Sequence, residues 1–216
     1  MQAKTLIASV TLAVLAFAMP ALAGPPFTCH VFEIGSAKSL PWGATADFTG
    51  TRKDYDFHNV VVDAEKLLTP SMPTLVRMET LRRAAMYASR DRAVAEQLVA
   101  LVIGRVKAAD QAGRPDAFAL FDAGYVVEAL NELEQSGNRM KMSGGLEPGL
   151  AGITQPYEAR PMLEKSAALR PEDAAIQFAL ALLTPAMENA AHLRQAREGA
   201  RQDALLANNL TKLQMH

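Results

Sequence analysis

The side chains that could do chemistry in this chain are few and scattered. Cys29 and His30 are the one adjacent pair of soft ligands. They have the form of the second half of a C-x-x-C-H haem-attachment motif, but Pro26 stands where the first Cys belongs, so haem attachment is not expected. Cys29 is the chain's single cysteine, which excludes an internal disulfide. In an oxidising compartment that leaves two expectations: an inert thiol, or an intermolecular disulfide through Cys29. The histidines His30, His58, His192 and His216 have no i+4 histidine and no carboxylate in a metalloprotease-like pattern. No G-x-S-x-G, phosphate-loop or paired-carboxylate motif occurs, and Gly144-Gly145 lacks the Lys and Ser/Thr of a phosphate loop. No catalytic, cofactor or metal residue is assigned, and nothing in these spacings supports an enzyme.

Charge offers more than motifs do. Residues 77–107 carry Arg77, Arg82, Arg83, Arg90, Arg92, Arg105 and Lys107 against three acids, a net of +4. Residues 110–134 carry six acids, Asp122 among them, against Arg114, a net of −5. Adjacent helices that complement each other across a shared surface explain this asymmetry. A basic face for an acidic protein or peptide partner, or head-to-tail self-association, explains it as well, with Arg82, Arg83 and Arg90 as the candidate contacts. The whole chain has a formal charge of −1, which argues against nucleic acid and anionic membrane surfaces as partners.

The elements that must position these residues begin with a leader. Lys4, the apolar run Leu6 to Ala18, Pro20 and Ala21-Leu22-Ala23 predict a secretory signal peptide over 1–23, cleaved before Gly24. The run is too short for a retained anchor, and no later stretch reaches transmembrane length. Export to the periplasm or beyond is the expected location. Residues 24–57 read as an irregular arm, punctuated by Pro25-Pro26, Gly35, Pro41, Gly43 and Gly50. Val31 to Ile34 could form one short strand. The arm's density of large apolar residues predicts that it packs across the body of the protein, with Trp42 as anchor.

From His58 to the end the apolar period is helical. Helices are predicted over 58–68, 73–88 and 91–109, then over 115–123 and 125–136 with a turn at Gly124. Further helices follow over 157–169, from Arg170-Pro171 to Leu183, and from Thr184-Pro185 to about residue 210. A Gly- and Met-rich loop fills 137–155. The fold class is all-α: stacked antiparallel helical hairpins over 58–216, behind the arm.

Ala159, Leu163, Ser166 and Pro171 resemble the second half of a tetratricopeptide repeat, with Ser in place of the usual Ala. Ala117, Leu120, Gly124, Ala129 and Leu133 resemble the small, large, turn, small and large positions of another. The resemblance spans roughly 110–184. It departs from the family at Pro161, inside an expected helix, and in the loop where a first helix belongs. What it implies is an α-solenoid presenting a groove to a peptide or protein segment. An orthogonal helical bundle meets the same periodicity. The function expected is an exported, non-catalytic interaction module. The second reading is an enzyme or small-molecule binder with its pocket between the arm and the helices.

Overall fold

Aspartates start four of the described α-helices. Asp91 Oδ1 accepts from the amides of Ala93 and Val94 at 2.7 and 3.2 Å, Asp116 does the same for Phe118 and Ala119, and Asp203 for Leu205 and Leu206. Asp173 caps with one bond, to the Ala175 amide. Each satisfies amides that have no partner inside the helix. The structure, a computed structural model, describes residues 28, 30–43, 50–142, 149–184 and 188–213 (backbone only for 138–142 and 212–213). The expected signal peptide and Cys29 lie outside the described residues.

Among the described residues the fold is all-α, with eight α-helices and no strand. They are α1 (Val60–Leu67), α2 (Thr74–Ala88), α3 (Arg92–Gln111), α4 (Ala117–Met142), α5 (Ala159–Leu169), α6 (Ala174–Leu183), α7 (Ala190–Gly199) and α8 (Ala204–Leu213). Each packs on the next in the chain, and α2 also packs on α4 and α6. Of the 15 residues of α2, 13 are buried, so this helix is the axis of the molecule and has almost no solvent face. No described helix is long and apolar enough to cross a membrane.

The arm packs across the body, as its composition predicts. Phe32 and Leu40 join the same core cluster as the helices, and Phe32 meets Phe178 edge-on at 6.0 Å. Burial of each such side chain is worth about 1.5–3 kcal/mol. Val31 to Ile34 do not form a strand: their backbone pairs with helix side chains, and Asn209 accepts from the Glu33 amide at 2.8 Å and donates to the Glu33 carbonyl at 3.0 Å. Trp42 lies edge-on to Tyr87, 5.9 Å between ring centres.

Three expected boundaries differ, and the first is that α4 runs to Met142, six residues into the loop expected over 137–155. Gly124 is not a turn, because α4 runs unbroken from Ala117 to Met142. A Cβ at position 124 would stand 2.7 Å from Leu163 Cγ and 2.8 Å from the Ala159 carbonyl, so glycine is there to let α4 and α5 touch. The single final helix is two, because Asp203 starts a new one after Gly199.

Candidate functional site

Two groups of buried charge extend from α2, and they serve different ends. The first is centred on Glu79. Its Oε1 accepts from Arg82 Nη2 at 2.8 Å and Arg83 Nε at 2.7 Å; its Oε2 accepts from Arg82 Nε at 2.8 Å and the Phe32 amide at 3.1 Å. Four bonds fill the acceptor sites of the carboxylate. The arginines spend their remaining donors on the arm, Arg82 on the Thr28 carbonyl at 3.1 Å and Arg83 on the Leu40 carbonyl at 2.7 Å. Trp42 covers both guanidinium groups, at 4.7 and 5.7 Å from its ring centre. The side chains of Glu79 and Arg82 are 0% exposed and that of Arg83 is 14% exposed.

This corrects the expected basic face. Arg82 lies wholly under the arm and is not offered to a partner, and Arg83 is largely covered. Glu79 sits three and four residues before them, on the same side of the helix, and draws both inward. Of the three arginines expected at an interface, Arg90 alone is exposed, with its guanidinium 4.6 Å from the Phe57 ring centre.

The second group opens on a cleft of about 880 Å³, where the α1–α2 connection, Arg77 of α2, the end of α3, the start of α4 and the end of α5 meet. Its geometry follows from the α3–α4 connection. Gly113 (φ 64°) closes α3: its amide bonds to the Asp110 carbonyl and the Arg114 amide to the Ala109 carbonyl, the two bonds of a Schellman motif. Arg114 is thereby delivered to the rim, Pro115 follows, and Asp116 caps α4. Six residues on, Asp122 faces Arg77 of α2.

Arg77 Nη1 donates to both Asp122 oxygens at 2.9 and 2.8 Å, and its Nη2 donates to the Thr69 carbonyl. Both side chains are all but buried, while Arg77 Nε has no hydrogen-bond partner. Desolvation pushes the Asp122 carboxyl up to about 6, against the opposing pull of Arg77 and Arg105. Arg105 stands 3.8 Å from Asp122 and 3.7 Å from Glu65. Phe118 lies beneath two guanidinium groups, Arg77 at 4.3 Å and Arg170 at 4.5 Å. Leu169 on the cleft wall is 44% exposed.

Sequence reasoning placed the basic residues on helices but missed this cleft, whose members come from positions 68 to 170. The opposite charges of 77–107 and 110–134 do meet here, in Arg77–Asp122. No group of His, Cys, Asp and Glu among the described residues has the arrangement of a metal site. His58 pairs with Asp56 and His192 with Gln177. Comparison with protein families, with curated proteins and with solved structures gives no match to this chain.

Proposed function

We propose that this chain is an exported, non-catalytic interaction module that receives a segment of a partner protein in the cleft between α2, α3, α4 and α5. The observation that carries this reading is the cleft itself: about 880 Å³, open, and lined by side chains from four helices. Volumes of this order accommodate a ligand well beyond a single ion. The buried carboxylates of Glu79 and Asp122 are both bound by arginine, so neither stands ready as a base. A tetratricopeptide-like stacking of hairpins is the architecture we favour, supported by the close approach of α4 and α5 at Gly124; the 117–133 match does not add to it, because α4 runs straight through its turn. The contact of α2 with α6 supports the rival bundle.

A small-molecule binder is the second reading. What favours it is the buried Arg77–Asp122 pair on the cleft wall, with its carboxyl raised to about 6. Site-specific photocrosslinking separates the two. A benzophenone side chain is placed at Ala112, exposed on the cleft, or at Gln97, exposed on α3 about 22 Å away along the helix. A polypeptide adduct from position 112 and none from 97 is the expected result in envelope extract. Equal adducts at both positions, or none at either, overturn the interaction reading.

A further inference from the structure

We propose that the cleft selects an acidic segment with an apolar side chain beside its carboxylates, the acids going to Arg105 and Arg114 and the apolar group to Phe118 and Leu169. This rests on the interaction-module reading and adds the chemistry of the partner.

Some of the charges in the cleft are already committed. Four arginines line it, Arg77, Arg105, Arg114 and Arg170, against two acids, Asp116 and Asp122. Asp122 is matched by Arg77 at 2.8 Å. Asp116 directs one carboxylate oxygen to two backbone amides at the start of α4. Arg170 is shared by Asp173 at 3.4 Å and Glu172 at 3.6 Å. Arg105 has only long contacts to carboxylates, 3.7 and 3.8 Å, and its side chain is 28% exposed. Arg114 is exposed and makes no ion pair with the described residues. Two guanidinium groups are therefore loosely held or unmatched on one wall, next to the positive end of α4. A planar fork of donors suits a carboxylate.

The rest of the wall is apolar and shallow. Two large apolar side chains are exposed among the described residues, and Leu169 is the one that lines the cleft. Ala108 and Ala112 leave room for a backbone to approach. Beyond Phe118 a second cavity, about 220 Å³, shares Pro70, Phe118 and Arg170 with the first. The two cavities adjoin at the Phe118 ring, which suits a ligand longer than a lone anion; the second also carries Asp173 and Asp203, so the acids of the segment belong on the Arg105–Arg114 side.

The test uses the purified chain and a fluorescein-labelled peptide of repeating Glu-Glu-Leu, with Gln-Gln-Leu and Glu-Glu-Ser counterparts, read by anisotropy at low and high salt. The Glu-Glu-Leu peptide is expected to bind, and to bind more weakly at high salt. The Gln-Gln-Leu peptide and the Arg105→Glu/Arg114→Glu variant should each weaken binding about tenfold or more. Unchanged circular dichroism would show that the variant is folded. Leu→Ser in the peptide should cost several-fold through loss of apolar contact alone. If Gln-Gln-Leu binds as tightly as Glu-Glu-Leu and the double reversal changes nothing, the acidic class is overturned while segment binding stands. If no peptide binds at either salt but citrate or inorganic phosphate raises the melting temperature in an Arg114-dependent manner, both readings fall and the cleft is a small-anion site.

Discussion

Replacing Glu79 with Gln should loosen the arm before it unfolds the helices. The carboxylate is 0% exposed and accepts four hydrogen bonds, three of them from guanidinium groups. A glutamine keeps one acceptor oxygen and turns an NH2 donor toward groups that can only donate. Arg82, itself fully buried, is left without its counter-charge. Removing one member of a buried ion pair costs about 3–5 kcal/mol. For a chain of this length each kcal/mol lowers Tm by about 2–4 °C, so a fall of about 6–20 °C is expected. Trp42, the single tryptophan, packs on Arg82, Arg83 and Tyr87, and its fluorescence therefore reads the arm while far-UV circular dichroism reads the helices. In the parent protein both signals should melt together. In Glu79→Gln the fluorescence should change at the lower temperature, because the bonds to Thr28, Phe32 and Leu40 run through this cluster. Glu164→Gln is the control: its pair with Arg160 is about half exposed on both sides and should cost under about 1 kcal/mol. A loss below about 1 kcal/mol in Glu79→Gln, equal to that control, would refute the claim that the buried cluster clamps the arm.

Two glycines inside helices should respond oppositely to alanine. Gly124→Ala drives a methyl into Leu163 and the Ala159 carbonyl; overpacking of about 1–3 kcal/mol outweighs a helix-propensity gain of about 1 kcal/mol, and chemical denaturation should show a net loss. Gly104→Ala meets nothing within 4 Å and should stabilise by about 0.5–1 kcal/mol. For Asp122 the folded value of about 6 lies above the ordinary 3.8, so the native state holds a proton that the unfolded chain releases. Its contribution is complete below about pH 4 and is lost as pH rises through about 6. The stability advantage of the parent over Asp122→Asn should therefore shrink between pH 4 and 6 in urea titrations. An advantage that grows over that range would contradict the desolvated carboxyl.

The helices were legible because their signals are local. The stripe Leu75, Met78, Leu81, Ala85, Ala88 places α2 within a residue of its observed start, and Asp91 and Asp173 mark beginnings that a cap makes visible; Asp203 carries the same signal inside what reads as one continuous helix. Gly124 was misread because a turn and a close helix contact favour the same residue, and only the position of α5 separates them. The arm's docking followed from its apolar content, but its mode did not. Glu33 is held through its backbone by Asn209, 176 residues away, and no spacing rule reaches that far. The cleft is non-local for the same reason, since Arg114 arrives by a helix stop and Arg170 by the end of another helix.

The fate of the arginines on α2 follows from what stands three or four residues before each and from how much of the helix is covered. Arg82 and Arg83 follow Glu79 on a helix buried nearly all round, so their charge is consumed inside and lends the surface little. Arg77 lies on that same helix without a local acid and reaches across to Asp122, 45 residues on. Arg105 and Arg114 sit near the end of α3, where the helix leaves the core and no acid lies within close contact. A basic sequence segment is thus not a basic surface. Apart from Arg90, the charge left unspent is displaced from α2, where the count is highest, to helix ends around the cleft, where it is lower. An acidic partner should accordingly be insensitive to Arg82 except through stability, and sensitive to Arg114 without any loss of fold.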